Sequence, residues 1–301
     1  MRTFLALAAG CALALSSSAC AGAPPRSALA KRVDDALWHS LGGGRSKATV
    51  AVAYVDLGTG ETFLRNERVR AHAASTMKVP VMLALFQAVD RRELALDRAI
   101  PVRNEFKSIV DGSPYTLDPK QDGDPELYQA VGSTRTLDEL IRRMIDKSSN
   151  LATNLLIDLI GASRVTDEMR LLDANEIQVL RGVEDQKAFD AGFNNIVTAY
   201  DLMLVMKAIA SGQSASKASN ERMVEILKAQ EFNEKIPAGL PPGTPVAHKT
   251  GDITGVHHDA AIVYPPGKSP YVLVVLTTGF ADDKVANGVI AAISRAVWEG
   301  R

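Results

Sequence analysis

The chain has 301 residues, 46% of them hydrophobic, which is enough for one large domain or two lobes around a sizeable core. Its formal net charge is −1, and lysines and arginines are scattered along its length, so we expect no nucleic-acid partner. The five histidines form no metal-ligand spacing such as HExxH. We therefore expect neither a metal nor a cofactor, and a zinc hydrolase is disfavoured.

The first residues are typical of an export signal, because Arg2 is followed by an apolar run and then by the small residues SSSACAGA. We assign residues 1–23 to this signal and expect an exported, periplasmic or extracellular protein. The apolar run is too short for a transmembrane span. Both cysteines, Cys11 and Cys20, lie in the signal, so cleavage there leaves neither a disulfide nor a cysteine nucleophile. A lipoprotein signal that anchors the chain at Cys20 stays open as an alternative.

The mature chain predicts a helix, two strands, a long helical region, three strands and a closing helix. ALAKRVDDALWHSLG has helical spacing, and ATVAVAYVDL and TFLRNERV form a hairpin. From Ser75 to about Leu227 the pattern is helical, apart from a proline-containing stretch from Arg98 to Gly132 that we expect to form a lip over the site. Among the helical segments is TLDELIRRMIDKSSNLATNLLIDLIG. PVAHKTGDI, HHDAAIVYPPG and SPYVLVVLTTG are the later strands.

This order predicts an α/β (α+β) fold with a five-stranded antiparallel sheet, flanked by terminal helices and carrying an inserted all-α lobe. We expect one domain over residues 24–301. Residues 24–70 and 230–301 form its α/β lobe, and residues 71–229 form the all-α lobe.

A serine and a lysine one helical turn apart, Ser75 and Lys78, stand at the start of an apolar helix. Residues three apart share a helix face. A lysine in a dry cleft loses part of its affinity for protons, so Lys78 can serve as a base that activates the Ser75 hydroxyl. The same Ser-x-x-Lys motif recurs from Ser214 to Lys217, where the polar surroundings favour a solvated helix start.

Two further polar motifs follow in the chain, Ser148-Ser149-Asn150 and Lys249-Thr250-Gly251. Taken singly, the first can cap a helix and the second can be a polar strand that ends in a turn. With Ser75 and Lys78 in this order, they make the chain resemble the active-site serine penicillin-recognising enzymes, most closely class A β-lactamases.

The resemblance also implies a role for Glu184, which lies close to where that family's loop glutamate falls. In the family this glutamate holds the water that hydrolyses the acyl-enzyme. The alternative is an exposed carboxylate paired with Arg181.

For acylation, the resemblance implies that Ser75 is the nucleophile and that Lys78 shuttles its proton, either directly or through water and Glu184. The amides of Ser75 and Asp252, the residue after Gly251, are expected to form the oxyanion hole. Ser148 is expected to pass a proton to the departing nitrogen.

The remaining motif residues are expected to hold the substrate. Asn150 orients Lys78 and a substrate amide, since its side chain both donates and accepts. Lys249 holds Ser148 in a positive field and, with Thr250, suits a substrate carboxylate.

The chain departs from the family pattern at several positions. Ser149 replaces the usual aspartate of the middle motif, and Ala188 stands where an asparagine normally helps to hold the water. Candidates to replace that asparagine are Gln186, Asp190, Asn194 and Asn195. Asn195 also takes the place of the loop-closing aspartate, so a bridge from Arg181 is uncharged at one end.

Two histidines, His257 and His258, stand near where an arginine often meets the substrate carboxylate in the family. They either contact substrate or face solvent at a strand end.

The leading hypothesis is a secreted serine β-lactamase that acts on a small-molecule β-lactam, and the resemblance implies a monomer. One alternative is a D-alanyl-D-alanine peptidase or ester hydrolase on the same scaffold. Another is a sensor that is acylated once and stays acylated, which the missing asparagine at Ala188 favours.

Overall fold

The computed structural model describes residues 28–41 and 47–301. The predicted signal, with Cys20, lies outside these residues. The helices described are α1 (Ala28–Ser40), α2 (Lys78–Asp90), α3 (Leu137–Asp146), α4 (Asn150–Ile160), α5 (Ala162–Arg170), α6 (Gln186–Asp190), α7 (Ala199–Ala210), α8 (Lys217–Lys228) and α9 (Asp283–Gly300). The strands described are β1 (Thr49–Asp56), β2 (Thr62–Arg65), β3 (Ala71–His72), β4 (Ala99–Pro101), β5 (Phe106–Lys107), β6 (Pro114–Tyr115), β7 (Thr134–Thr136), β8 (Ile196–Val197), β9 (Val246–Ile253), β10 (Val256–Val263) and β11 (Tyr271–Thr278).

Five strands form one antiparallel sheet in the order β2-β1-β11-β10-β9. The hairpin near the amino end therefore pairs with the last strand, and β9, which carries the Lys-Thr-Gly motif, lies at an edge. The predicted α+β architecture with a five-stranded antiparallel sheet is confirmed. Its division into two lobes at residues 71 and 230 stays a prediction.

Both faces of this sheet are buried. Alternate residues of its central strands point to opposite sides, and each set packs into a different core. On β1, Ala51, Ala53 and Val55 join the larger core beneath the helical region. Val50, Val52 and Tyr54 join a second core, which also contains residues of α1 and α9. The terminal helices thus cover one face and the helical region covers the other.

Helix α2 runs through the larger core and is buried on all sides from Lys78 to Phe86. A helix that is apolar all round belongs in a protein interior. Pro80, near its start, lies where a missing amide costs little. Its first residue, Lys78, is consequently a cation inside this core.

The predicted helical segment TLDELIRRMIDKSSNLATNLLIDLIG is two helices, α3 and α4, which separate at the Ser-Ser-Asn motif. Ser148 adopts a positive φ of 57°, which a right-handed helix does not allow. The Ser149 hydroxyl then accepts a hydrogen bond from the Ala152 amide and caps α4. The break places Ser148 and Asn150 at a helix start.

The other Ser-x-x-Lys segment forms a helix start, as expected. Ser216 caps α8, and the first residue, Lys217, keeps 89% of its side chain exposed. None of the helices within residues 28–41 and 47–301 is long and apolar enough to cross a membrane.

Candidate active site

Ser75 lies in a 3₁₀ turn, Ala74–Met77, directly before α2, and this turn packs against the edge strand β9. A Cβ atom added to Gly251 would lie 3.1 Å from the Ser75 amide nitrogen and 3.1 Å from the Thr76 amide nitrogen. Such contacts are tighter than side chains normally make, so the glycine of the Lys-Thr-Gly motif allows the close approach of strand and turn.

Lys78 is fully buried, and its ammonium uses three hydrogen bonds on the segment that opens α4. Its Nζ donates to the carbonyl oxygen of Ser148 (2.6 Å), to Ser148 Oγ (3.1 Å) and to Asn150 Oδ1 (2.9 Å). Burial lowers the pKa of Lys78 to about 7, although the carboxylates of Asp122 and Glu184 oppose the shift. A substantial fraction of Lys78 is therefore neutral near pH 7.

The hydroxyl of Ser148 accepts hydrogen bonds from two buried lysines. Its Oγ accepts from Lys78 Nζ at 3.1 Å and from Lys249 Nζ at 3.0 Å. Because both bonds use its lone pairs, the hydroxyl proton remains available to donate to a third group.

Lys249, on β9, is fully buried, and its contacts are to uncharged oxygens. Besides Ser148, its Nζ donates to Gln230 Oε1 (3.2 Å) and to the Thr250 carbonyl (3.1 Å). Burial, and then the charges of Lys78 and Lys235, hold the pKa of Lys249 well below its usual value.

Glu184 is joined to Lys78 through Asn150. The Asn150 amide group donates to Glu184 Oε1 at 2.9 Å, and the Asp118 backbone amide donates to Oε2 at 3.3 Å. Burial raises the pKa of Glu184. The alternative of an exposed carboxylate paired with Arg181 is wrong, since the side chain is half-buried and bonded to Asn150.

Comparison with known proteins shows the family of the chain. The Beta-lactamase enzyme family matches the chain over residues 28–300. The chain belongs to that family. A β-lactamase of Streptomyces fradiae is 28% identical over 292 residues, which cover 95% of this chain and 92% of the relative.

Solved structures agree with this family. A β-lactamase from Sphaerobacter thermophilus is 29% identical, with a TM-score of 0.76 over 89% of this chain and 96% of its own. A protein named PBP-A is 26% identical, also with a TM-score of 0.76, over 92% of this chain and 97% of its own. The fold is thus shared with both β-lactamases and a PBP-like protein.

Within this β-lactamase framework, Thr250 does not present a free hydroxyl. Its Oγ1 and its backbone amide both donate to Gln230 Oε1, at 2.9 and 3.1 Å. Gln230 is itself held by a 2.7 Å hydrogen bond from Nε2 to the His248 carbonyl. Gln230 therefore fixes the first two residues of the Lys-Thr-Gly motif.

The side chain of Asp252 contacts Lys235 and His257. Lys235 Nζ contacts both of its carboxylate oxygens at 2.6 Å, and His257 Nδ1 lies 3.0 Å from Oδ1. The Lys235 side chain is only 4% exposed, whereas that of Asp252 is 51% exposed. An anion on the β9 edge thus covers a buried cation.

The solvent-facing alternative for His257 and His258 is wrong, because both residues are buried. Thr277 N–H donates to His258 Nδ1 (3.1 Å), so Nε2 carries the proton that it donates to the His72 carbonyl (3.0 Å). Burial lowers the pKa of His258 to about 4, which keeps this tautomer neutral. His258 thereby ties β10 to the chain segment before Ser75.

The loop around Glu184 is closed by uncharged groups. Arg181 is 5% exposed, and its guanidinium donates to the Phe193 carbonyl (2.8 Å), the Gly182 carbonyl (3.0 Å) and Asn194 Oδ1 (3.1 Å). Asn195 instead binds the backbone, accepting from the Leu180 and Arg181 amides and donating to the Arg181 carbonyl. The neutral bridge expected at Asn195 is therefore made by Asn194.

The candidates for the missing water-holding amide have other partners. Gln186 donates to Asp190 at 2.6 Å, and Asn194 and Asn195 are used as described above. Ala188 is buried. Asn150 contributes a side-chain amide to Glu184, and Asp118 contributes a backbone amide.

The sequence alone does not identify four residues that contact predicted site residues, namely Asp118, Asp122, Gln230 and Lys235. Each lies outside the motifs, and no spacing in the sequence marks it. The one sequence feature near any of these four residues is the acidic QDGD segment, which contains Asp122 and lies in the proline-containing stretch predicted to form a lip. Contacts from Asp118 to Glu184 and from Asp122 to Asn150 show that this stretch reaches the site.

Proposed function

We propose that the protein is a class A-like serine β-lactamase that opens β-lactam rings through an acyl-enzyme on Ser75. The observation that carries the proposal is the continuous network in which Ser148 Oγ accepts from Lys78 and Lys249 while Asn150 joins Lys78 to Glu184. Membership of the Beta-lactamase enzyme family supports the hydrolase assignment.

Acylation begins when Ser75 Oγ bonds to the lactam carbonyl carbon and its proton passes to neutral Lys78. The pKa of about 7 supports this use of Lys78, because a base works best when its pKa is near the working pH. The Ser75 and Asp252 amides stabilise the oxyanion. The carbon–nitrogen bond then breaks, and the nitrogen takes the Ser148 proton, which Lys78 replaces along their 3.1 Å hydrogen bond.

Deacylation uses a water molecule held by Glu184. The carboxylate takes one proton from this water as the oxygen attacks the ester carbon. The carbon–oxygen bond to Ser75 breaks, and Oγ takes up the proton that the water gave to Glu184, so the step consumes one water molecule and returns both residues to their starting state. The raised pKa of Glu184 strengthens it as a base.

The substrate we propose is a small-molecule β-lactam whose carboxylate meets the Lys249, Thr250 and Gly251 edge of β9. We also propose that the enzyme is an exported monomer that needs no cofactor.

A second candidate is a sensor that is acylated on Ser75 and releases the acyl group slowly. The observation that favours it is the loop near Glu184, where Gln186, Asn194 and Asn195 are bonded elsewhere and Ala188 has no polar side chain. Within residues 28–41 and 47–301, the hydrogen bonds to the Glu184 carboxylate come from Asn150 and Asp118.

An intact-mass time course with a penicillin tests both candidates. For a β-lactamase we expect a transient adduct and many product molecules for each protein molecule, and both must vanish in Ser75→Ala. A stable adduct that outlasts removal of free penicillin would select the sensor. Hydrolysis that persists in Ser75→Ala, or a wild-type protein that forms neither adduct nor product, would overturn both.

A further inference from the structure

Asp122 is a buried carboxylate, 8% exposed, in the loop between β6 and β7. Its oxygens accept from the backbone amides of Asn150 (2.9 Å to each oxygen), Leu151 (2.8 Å) and Asp124 (3.0 Å). They also accept from the Tyr128 hydroxyl (2.9 Å). A carboxylate that leaves water needs such donors. Every donor in this set is uncharged.

Three of these bonds end on the first two amides of α4. The first amides of a helix have no partner within the helix and favour a negative charge. Asp122 satisfies those of Asn150 and Leu151, and Ser149 Oγ satisfies that of Ala152. The start of α4 is therefore held by a side chain from a different loop.

The same helix start supplies all three oxygens that bind Lys78. They are the Ser148 carbonyl, Ser148 Oγ and Asn150 Oδ1. Any shift of the Asn150 backbone would move these acceptors, and also the Asn150 amide group that reaches Glu184. Asp122 thus contacts the backbone of the segment that carries the Lys78 acceptors.

Asp122 also contributes charge. The charged groups around buried Lys78 include Asp122 from this loop and Glu184 from the loop before α6, and Lys249 from β9 shares the Ser148 hydroxyl with it. For the pKa of Lys78, burial opposes the ammonium form and the two carboxylates favour it. In the middle motif, Ser149 replaces the usual aspartate and contributes no charge.

We propose that Asp122 is a positioning residue for Lys78, fixing the oxygens of Ser148 and Asn150 and supplying the carboxylate that the Ser-Ser-Asn motif lacks. Its consequence for activity rests on the proposed function, in which Lys78 takes the proton of Ser75.

The test compares Asp122→Asn with Asp124→Asn. Asp124 is also a buried aspartate on the same loop, but its two carboxylate oxygens accept from Arg143 Nη1 at 2.9 and 2.8 Å. NMR titration of isotope-labelled lysine side chains reports Lys78 without any substrate. We expect its pKa to fall by about one unit in Asp122→Asn, because a nearby opposite charge is lost, and to stay in place in Asp124→Asn. An unmoved Lys78 in Asp122→Asn, or an equal shift in both variants, would overturn the proposal.

Acylation by penicillin gives the second measurement, as rates from about pH 5 to 9. In Asp122→Asn the acid limb of the profile should move to lower pH, because the pKa of Lys78 falls. Asp122→Glu keeps the charge but moves the carboxyl group by one methylene, so we expect an unmoved limb and a rate at least about tenfold lower. If Asp122→Asn does not fold, a wild-type rate in Asp122→Glu overturns the proposal. A wild-type chain that is never acylated while Lys78 still responds to Asp122→Asn overturns the proposed function alone.

Discussion

The ammonium of Lys78 lies 2.6 Å from the carbonyl oxygen of Ser148, 70 residues further along the chain. This contact uses a strained backbone, since Ser148 has a φ of 57°. A residue other than glycine in this region costs about 1 kcal/mol or more. The strain turns the chain between α3 and α4 and directs a carbonyl at the lysine. Because an unpaired buried ammonium would cost several kcal/mol, the bond offsets the strain.

The pH dependence of stability should reveal the buried lysine. Relative to Lys78→Met, we expect the free energy of unfolding of the wild type to rise between about pH 7 and pH 10, by at most about 5 kcal/mol. Below about pH 7, Lys78 is protonated in both the folded and unfolded states, and its burial penalty is fully present. Above it, the unfolded chain binds a proton that the folded chain lacks, so raising the pH favours folding.

Urea unfolding at a series of pH values measures this difference. Lys217→Met is the matched control, because that lysine is 89% exposed and its variant should follow the wild type in parallel. Parallel curves for Lys78→Met as well would mean that the Lys78 pKa is not lowered in the folded state.

Replacing the Glu184 carboxylate with an amide should separate the two half-reactions. In Glu184→Gln we expect acylation within a few-fold of the wild type, and release slowed by about 100-fold or more, because the water loses its base. The acyl adduct should therefore accumulate in rapid-quench mass spectra. Glu234→Gln, which changes an exposed carboxylate, should turn over normally. Release at the wild-type rate in Glu184→Gln would remove the carboxylate from deacylation.

The fold was predictable from the sequence because its signals are local. The apolar, β-branched runs in ATVAVAYVDL and SPYVLVVLTTG indicate strands, and the structure buries both faces of these strands. The positions of the strands along the chain predict one antiparallel sheet. The Ser75, Ser148 and Lys249 motifs were likewise visible, since each is contiguous in the chain.

The supporting contacts were not predictable, because they join side chains far apart in sequence. Asp122 reaches Asn150 across 28 residues, and Lys235 reaches Asp252 across 17. The apolar spacing of α3 continues into α4, so the sequence predicts one helical segment there. In the structure Ser148 has a positive φ, and its carbonyl accepts from Lys78, 70 residues earlier in the chain. Local pattern carries no information about such tertiary contacts.

Asn194 and Asn195 should respond in opposite ways to the same substitution. Asn194→Asp places a carboxylate against the buried Arg181 guanidinium, and we expect stability to rise by about 1 to 2 kcal/mol. Asn195→Asp replaces the group that donates to the Arg181 carbonyl with an acceptor, so stability should fall by about 1 to 3 kcal/mol. Family resemblance alone would have chosen position 195 for the stabilising aspartate. Denaturant midpoints of the two variants decide, and stabilisation at 195 with none at 194 would contradict the observed pairing.

Asp252 should control how the site treats a carboxylate on the substrate. In the structure both carboxylate oxygens of Asp252 accept from the buried Lys235 Nζ, each at 2.6 Å. An incoming carboxylate on the β9 edge must compete with it for this cation. In Asp252→Asn, Lys235 lacks a full counter-charge, and a substrate carboxylate becomes its best available partner.

The measurement is the ratio of acylation rates for a penicillin and its methyl ester, which differ in this charge. We expect Asp252→Asn to raise the acid-to-ester ratio about tenfold, equivalent to about 1.4 kcal/mol. Asp283→Asn is the control, since that carboxylate is 79% exposed and lies 3.4 Å from His257 Nε2, so its removal should leave the ratio within about twofold. Because a general loss of stability affects both substrates alike, an unchanged ratio in Asp252→Asn would show that Lys235 and Asp252 do not sense the substrate carboxylate.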